Sequence, residues 1–274
     1  MAFNDRQEFI LKKLRVSGEI EVDTLAREWN VTTQTVRRDL SELCDAGLAI
    51  RTHGGARRMI ASSAIAYEDR RLVKTQAKSK VADAAAALIP NSASISLNIG
   101  TTTEMVAEAL RLHEDLTVVS NNINIVPILR ASRLKSLSLI GGDVRLSDGA
   151  IVGSDAVATI SNYKVDFAIV GASSLDLDGS ILDYDQREVS VARAILQNAR
   201  KTILVADVSK FAVSAPFKIS DAKHLDYIIL DAPPPLSFQK SILGHNTTLI
   251  VAREENVKKY GDRLSMNSDF HSQK

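Results

Sequence analysis

The amino-acid sequence predicts an α/β protein with two domains, a small helical N-terminal domain that ends in a hairpin and a larger C-terminal α/β domain. Helical periodicity fills the first 57 of the 274 residues, whereas short apolar runs alternate with helix-period segments from about residue 76. Residues 58–75 lie between the two patterns and have no clear period, which is typical of a linker. We therefore expect domains at 1–57 and 76–251, followed by a flexible tail at 252–274.

The composition excludes several classes of protein. A net charge of +1 argues against a protein that coats nucleic acid by charge alone, and the 45% hydrophobic fraction argues against a disordered chain. The single cysteine, Cys44, forms no intrachain disulfide, and the five histidines lack the spacing of metal ligands, so we expect no metal and no cofactor. Without an apolar leader or a long apolar run, the chain is expected to be cytoplasmic.

Residues 21–46 predict two short helices separated by a break of about three residues. The first helix has one apolar face, which consists of Val22, Leu25, Ala26 and Trp29. The second has apolar side chains at positions 36, 40 and 43, and Thr32 is expected to cap its N-terminus. An earlier helix at 6–16 completes a small core through Phe9, Ile10 and Leu14. Together these features predict a helix-turn-helix.

The outward face of the second helix is polar and basic. Its side chains are Thr33, Gln34, Thr35, Arg37 and Arg38. In a helix-turn-helix such residues reach base edges in the major groove, where glutamine pairs with adenine and arginine with guanine.

A glycine pair follows this helix and predicts a basic hairpin, or wing, with Arg51, His53, Gly54, Gly55 and Arg57 as candidate DNA contacts. A protein-interaction domain with a solvated polar face shares the helical period and remains an alternative.

Two segments of this domain resemble the signature of the DeoR family of bacterial regulators. They are VTTQTVRRDLSEL at 31–43 and IRTHGGA at 50–56. The resemblance implies a winged helix-turn-helix repressor that binds double-stranded operator DNA. It also implies a homo-oligomer, a dimer or a tetramer, because one such domain makes few base contacts.

Seven short apolar runs predict the strands of one mostly parallel sheet with helices on both faces. They are residues 94–97, 116–119, 136–140, 166–170, 202–206, 227–230 and 248–251. The carboxyl ends of parallel strands meet at one edge of a sheet, and ligands bind there. Four polar or glycine-rich loops follow these runs, so we expect a ligand site at that edge.

The first of these loops has the residues of an anion site. A strand ends near Asn98, Gly100 opens a turn, and Thr101, Thr102 and Thr103 begin a helix whose free amides and hydroxyls suit a phosphate. The spacing Thr101-x-x-Glu104 is also a capping box, which only stabilises a helix start, and this interpretation stays open.

Further candidate effector contacts lie after later strands. They are Asn121, Asn122, Gly141, Gly142, Arg145, Asp183, Glu188 and Lys210. Arg145 and Lys210 are expected to offset phosphate charge, whereas Asp183, Asp185 and Glu188 are expected to accept hydroxyl hydrogen bonds. For each charged residue taken alone, an ordinary surface charge is the alternative.

This half of the chain also resembles the DeoR family, through LNIGTT at 97–102, VSNN at 119–122, LIGG at 139–142 and ADVSKF at 206–211. The resemblance implies an α/β sensor domain related to ribose-5-phosphate isomerase, although Asn98 stands where many members have aspartate. Two stretches, DGSILDYDQREV at 178–189 and DAPPPLS at 231–237, resemble members that respond to sn-glycerol 3-phosphate.

The resemblance to isomerases does not extend to their acids. Isomerases of this fold have an Asp-Gly-Ala-Asp-Glu segment after a central strand, and the corresponding residues here are VGASS at 170–174. We therefore expect binding without turnover. The alternatives are a regulator of a sugar catabolic operon that senses a different sugar phosphate, and a sugar-phosphate isomerase.

Overall fold

The computed structural model describes residues 4–46, 48–57 and 67–252. The α-helices are α1 (Asp5–Ser17), α2 (Val22–Glu28), α3 (Thr33–Asp45), α4 (Tyr67–Leu72), α5 (Thr75–Ala86), α6 (Thr101–Ala109), α7 (Ile125–Leu129), α8 (Ser154–Ile160), α9 (Gln186–Gln197) and α10 (Leu236–Ile242). The strands are β1 (Glu19–Glu21), β2 (Ile50–Arg51), β3 (Gly55–Arg57), β4 (Ser94–Leu97), β5 (Thr117–Ser120), β6 (Ser136–Leu139), β7 (Asp143–Arg145), β8 (Ala150–Val152), β9 (Val165–Val170), β10 (Ser174–Leu175), β11 (Ser180–Asp183), β12 (Ala199–Ala206), β13 (Phe217–Asp221), β14 (Tyr227–Leu230) and β15 (Thr248–Val251). The predicted tail from residue 253 onward and residues 58–66 of the predicted linker lie outside the described residues.

The N-terminal domain has the predicted helix-turn-helix. Helices α2 and α3 are joined by a short turn in which Asn30 has a φ of +52°. Thr32 caps α3 as predicted, because its hydroxyl accepts a hydrogen bond of 3.2 Å from the amide of Thr35. In α1 the buried side chains include Ile10, Leu11 and Leu14.

One predicted core residue of α1 was assigned wrongly, because Phe9 is 44% exposed, and its ring packs edge to face with that of Trp29.

The wing is a three-stranded antiparallel sheet in the order β1-β3-β2, so the hairpin predicted from the glycine pair gains a third strand from the segment after α1. Gly55 is buried in β3, where a Cβ atom would overlap the carbonyl oxygen of Ile20 in β1. Glycine is therefore required at this position for the two strands to pair closely.

Polar contacts between α1 and α3 orient the second helix of the motif. The buried carboxylate of Asp39 accepts a hydrogen bond of 2.7 Å from Arg6 Nε, and Gln7 Nε2 donates to Glu42 at 2.6 Å. These contacts lie on the inner side of α3 and leave its outer face open.

The C-terminal domain contains a seven-stranded parallel sheet in the order β15-β14-β12-β9-β4-β5-β6. Each of the seven predicted apolar runs became one of these strands. Successive residues of a strand face opposite sides, so Leu204 lies in one apolar cluster and Val205 in another. Helices cover both clusters, as the almost continuous apolar runs predict.

The strand order places a topological switch point between β4 and β9. From β4 the chain proceeds outward through β5 and β6, then returns to the other side of β4 and proceeds through β9, β12, β14 and β15. The connections after β4 and β9 therefore diverge and leave a crevice at the carboxyl ends of these two strands.

Several described elements were not predicted from the sequence. They include the hairpin β7–β8, the small antiparallel sheet β10-β11-β13, and helix α4 within the segment interpreted as an aperiodic linker. The two domains also contact each other, because the carboxylate of Glu8 in α1 accepts hydrogen bonds from the amides of Leu236 and Ser237. The longest helices in the described part of the chain have 13 residues, too few to span a bilayer.

Candidate functional site

The predicted recognition face of α3 is accessible to a partner. Gln34, Arg37 and Arg38 are exposed, and Thr33 and Thr35 are half-buried beside them. The buried side of the same helix contacts the domain core. The expected DNA-reading side chains are therefore brought together on one open surface, as a helix that enters a major groove requires.

The wing places further cations beside this face. Arg51, His53, Gly54 and Arg57 are exposed, and Arg51 Nη1 donates a 3.4 Å hydrogen bond to Ser41 on α3. The predicted contact residue Gly55 differs from these four, because it is buried between strands.

The arginines of this surface are available to phosphate oxygens. Arg38 pairs with Glu42 at 3.3 Å, but its side chain is 82% exposed, so the pair contributes little free energy. Arg37 has no ion-pair partner within the described ranges. A duplex backbone can therefore contact both guanidinium groups without breaking a buried interaction.

A cavity of about 620 Å³ lies at the carboxyl edge of the large sheet, at the topological switch point. Its wall includes the loops that follow β4, β9 and β12, represented by Gly100, Gly171 and Lys210. Eight of the effector residues predicted from the sequence line this cavity: Gly100, Thr101, Thr102, Thr103, Arg145, Asp183, Glu188 and Lys210.

One end of the cavity is the N-terminus of α6. Gly100 caps this helix with a φ of +143°, and the first-turn amides, those of Thr101 to Thr103, have no acceptor within the helix. Thr103 donates its hydroxyl proton to backbone carbonyls at Asn98 and Gly100, both at 2.7 Å, so this hydroxyl holds the loop in shape.

The capping box that the sequence left open does not form. The carboxylate of Glu104 accepts hydrogen bonds from the side chains of Asn122 at 3.0 Å, Asn124 at 3.2 Å and Tyr67 at 2.6 Å, and α6 has no side-chain cap. The amides of this helix end are thus left for another acceptor.

Two lysines, Lys78 and Lys210, also line the cavity. Lys78 on α5 is 5% exposed, and burial together with the charge of Lys210 lowers its pKa to about 8. Lys210 lies in the loop after β12, and its side chain has no hydrogen-bond or ion-pair partner among the residues the structure describes. Two cations beside a helix N-terminus form a site for an anion.

The opposite part of the cavity is acidic and is organised around one guanidinium group. Arg145 Nη1 donates to Asp185 at 2.8 Å, Nε donates to Asp148 at 2.8 Å, and Nη2 contacts both Asp148 and Glu188. Burial alone would lower the pKa of Arg145, but these carboxylates outweigh it and raise the pKa. Since its donors are already bonded, Arg145 is placed to hold carboxylates rather than to offset phosphate charge.

Two acids in this cluster are placed to bind hydroxyl groups. Asp183 accepts a hydrogen bond of 2.7 Å from Ser173, and its second oxygen accepts the amide of Tyr184 at 2.7 Å. Burial, reinforced by the charge of Asp183, raises the pKa of Glu188 to about 8.

Five predicted effector residues lie outside the cavity wall. They are Asn98, Asn121, Asn122, Gly141 and Gly142. Asn121 accepts a 2.9 Å hydrogen bond from the amide of Ile99 and Asn122 fixes Glu104, so both support the loop from behind. Gly142 has a φ of +143° and packs against β8. Apart from Asn98, which follows β4, these residues follow β5 and β6, on the far side of the switch point.

The sequence interpretation missed residues that reach the cavity from elsewhere. They are Arg70, Lys74, Lys78, Asp148 and Asp207. Lys78 could have been identified from the sequence pattern, because it shares one buried helix face with Val81, Ala82 and Ala85. A lysine at an apolar position of a helix is expensive to bury and therefore indicates a function.

These features define a class: a winged helix-turn-helix with an open basic face, joined to an α/β domain with a charged cavity at its sheet edge. Comparison with known proteins agrees in both halves. The DeoR-like helix-turn-helix domain matches residues 6–61, and the DeoR C terminal sensor domain matches residues 73–232. The chain belongs to the DeoR family, and the predicted fold class is confirmed.

Several similar proteins are named as repressors. The glycerol-3-phosphate regulon repressor of Escherichia coli K12 is 36% identical over 91% of this chain and 99% of its own length. The repressor of the same name from Haemophilus influenzae is 40% identical over 84% of this chain and 89% of its own length. The HTH-type transcriptional repressor CsqR of Escherichia coli K12 is 30% identical, over 92% and 97%.

A ribose 5-phosphate isomerase from Plasmodium falciparum is among the solved structures that match, with a TM-score of 0.35, 14% identity, and coverage of 50% of this chain and 53% of its own.

Proposed function

We propose that this chain is a cytoplasmic transcription repressor that binds operator DNA through α3 and the wing. A small phosphorylated metabolite in the cavity at the sheet edge controls this binding, and sn-glycerol 3-phosphate is the first candidate. The effector favours a form of the protein that holds DNA weakly, which requires different effector affinities in the two forms.

The anion end of the cavity is the observation that carries the effector proposal. Lys78 is buried and cationic at neutral pH, lies near a second lysine, and faces the end of α6, whose first amides lack acceptors. Buried cations of this kind cost free energy unless an anion accompanies them. A phosphate dianion provides two charges and several acceptor oxygens for this site.

The acidic end supports a polyol phosphate over inorganic phosphate. Asp183 and Glu188 line the same cavity as the N-terminus of α6 and can bond the hydroxyl groups of a ligand whose phosphate lies at α6. Glycerol 3-phosphate has two hydroxyl groups for this purpose, and the similar repressors named above bear its name. The cavity volume of about 620 Å³ also admits a larger sugar phosphate, which is the alternative effector.

The cavity lacks the arrangement expected for turnover. The segment at 170–174 is VGASS, so Val170 and Ser173 stand where an isomerase has aspartates, and Ser173 bonds Asp183. Glu188 is held by Arg145, so this carboxyl group is not free to act as a base toward a substrate carbon. We therefore propose binding without isomerisation, checked by assaying the purified chain for pentose-phosphate isomerase activity.

A thermal-shift screen with polyol and sugar phosphates tests the effector proposal. A ligand at 100 times its dissociation constant stabilises the fold by about 2.7 kcal/mol. Lys78→Met is expected to abolish the shift, whereas Lys135→Met, at an exposed lysine outside the cavity wall, is expected to retain it. A wild-type protein that no phosphate ester stabilises would contradict the proposal.

The assembly proposed for DNA binding is a homo-oligomer, a dimer or a tetramer. One recognition helix and one wing contact a single half-site, and repressors of this kind reach operator affinity by reading repeated half-sites. Light scattering of the free chain and of its complex with DNA measures this directly. A monomer in both states would contradict it.

A further inference from the structure

The segment that enters the sensor domain from the DNA-binding domain also forms part of the cavity wall. Helix α4 (Tyr67–Leu72) lies over the cavity, and Arg70, Val73 and Lys74 line it. Lys74 has a left-handed φ of +56°, which turns the chain from α4 into α5. The last residues before the sensor domain are thus in direct reach of a bound ligand.

Three contacts of α4 end on residues at or beside the anion site. Tyr67 donates to Glu104 in the first turn of α6 at 2.6 Å, and Arg71 lies 3.9 Å from the same carboxylate. Lys78 donates its ammonium proton to the carbonyl oxygen of Arg70. The position of α4 therefore depends on groups that a bound phosphate would also contact.

Arg70 is incompletely bonded in this position. Its Nη2 atom lies 3.5 Å from Asp148 Oδ2, an oxygen to which Arg145 already donates at 2.7 Å. Its Nε–H is buried and has no acceptor among the described residues. A buried donor without an acceptor is costly, so a ligand oxygen at this place would be bonded strongly.

We propose that Arg70 binds an anionic oxygen of the effector and that this contact makes the interdomain segment part of the effector site. This inference rests on the proposed function and adds a route to it. When a phosphate ester binds, Arg70 exchanges the shared oxygen of Asp148 for an unshared ligand oxygen, and Lys78 gains a stronger acceptor than the Arg70 carbonyl. Both changes alter the position of α4, which precedes the sensor domain in the chain.

The consequence is a direct connection between ligand and DNA-binding domain. The signal passes from the phosphate to Arg70 and α4, without a rearrangement of the large sheet. A two-state element that the ligand biases through its own contacts is what allosteric coupling requires.

The test uses Arg70→Ala in the full chain, with Arg133→Ala as a matched control, because Arg133 is exposed and lies outside the cavity wall. Calorimetry measures the affinity for sn-glycerol 3-phosphate and inorganic phosphate, and fluorescence anisotropy measures DNA affinity with and without saturating ligand. Melting temperatures verify that both variants fold, and Arg70→Lys tests rescue by a cation of different geometry.

For Arg70→Ala we expect at least a tenfold loss of affinity for the phosphate ester, the loss typical of a charge-assisted hydrogen bond. In the wild type, ligand should weaken DNA binding by roughly 5- to 150-fold. In the variant, the ratio of DNA affinities without and with saturating ligand should fall close to one. Its DNA affinity without ligand should stay within about twofold of the wild-type value, a difference that is small beside the coupling.

A variant with wild-type ligand affinity would overturn the contact, and one with weaker affinity but the full ratio at saturation would overturn the coupling. If the wild type itself binds no phosphate ester, the proposed function fails first, and that result is distinct from both.

Discussion

The two candidate sites of this chain use their charges in opposite ways. On the DNA-binding face the cations are exposed, and Arg37 has no ion-pair partner in the described part of the chain. In the cavity, Arg145 is only 18% exposed and contacts three carboxylates. Water solvates the exposed cations of the DNA-binding face, whereas in the acidic part of the cavity the buried cation and carboxylates neutralise one another.

This difference predicts that the two sites respond differently to substitution. Charges on the DNA face should contribute to binding and little to stability, because water already solvates them. Charges in the cavity should contribute to both, because removing one leaves its partners buried and unpaired.

The largest expected effect is on stability, from Arg145→Ala. The substitution leaves Asp148 and Glu188 buried without their cation, and breaking such a group typically costs about 3–5 kcal/mol. Urea unfolding measures the loss. Arg193→Ala is the control, since Arg193 bonds only backbone carbonyls of β13. An Arg145→Ala protein as stable as wild type would remove the contrast between the two sites.

The second effect concerns Arg37→Ala on the recognition face. Loss of one base contact is expected to cost about 1–3 kcal/mol of DNA affinity, with no change in melting temperature. Fluorescence anisotropy with a duplex selected from a random library measures the affinity at several salt concentrations. Arg200→Ala, an exposed arginine of the sensor domain, serves as control. Unchanged DNA affinity would show that α3 does not read DNA.

The third effect is a pH dependence of effector affinity. A phosphate ester becomes a dianion above a pKa of about 6, whereas Lys78 loses its proton as the pH rises through its lowered pKa of about 8. Affinity should therefore be highest between these values and fall by up to about tenfold for each pH unit above 8.

Variants separate the two groups that titrate in this range. Lys78→Arg keeps its charge and should flatten most of the alkaline fall, because arginine stays protonated. Glu188 also has a pKa of about 8 and gains a negative charge there, so Glu188→Gln should remove the remainder. An alkaline fall that neither variant changes would assign the titration to other groups.

The smallest effect concerns the contact between the domains. Glu8→Gln replaces the carboxylate that accepts from the amides of Leu236 and Ser237, and a charged acceptor is worth about 1 kcal/mol more than a neutral one. Hydrogen exchange at these two amides should accelerate roughly fivefold. Glu28→Gln is the control, because Glu28 pairs with Lys13 inside the N-terminal domain. Unchanged exchange would mean that the contact does not persist in solution.

The elements with strong local patterns were predictable from the sequence. All seven strands of the large sheet coincide with short segments rich in apolar residues, and β4, β14 and β15 have the predicted bounds. The helix-turn-helix and its Thr32 cap follow from apolar spacing and a hydroxyl at the break. The strands β10, β11 and β13 were missed, because two- to five-residue strands in a small sheet have no periodicity of their own.

The candidate effector site was predicted only where one loop supplies several residues. The loop after β4 has its own pattern of glycine and hydroxyls, and Gly100 to Thr103 do line the cavity. Arg70, Lys78 and Asp148 come from three separate elements that the tertiary fold brings to one place. The strand order explains why other predicted residues do not line the cavity. It places the ends of β5 and β6, with Asn121 and Gly142, on the far side of the switch point.

The central claim is that this chain binds DNA through the exposed face of α3 and the wing, and that it binds DNA more weakly when an effector occupies the cavity. An anisotropy titration of the selected duplex with the full chain, repeated in saturating sn-glycerol 3-phosphate and in saturating inorganic sulfate, tests this directly. We predict that the phosphate ester weakens DNA binding by at least fivefold and that sulfate at the same ionic strength does not. Equal DNA affinity in all three titrations would contradict the account if the result is the same with every phosphate ester that stabilises the fold.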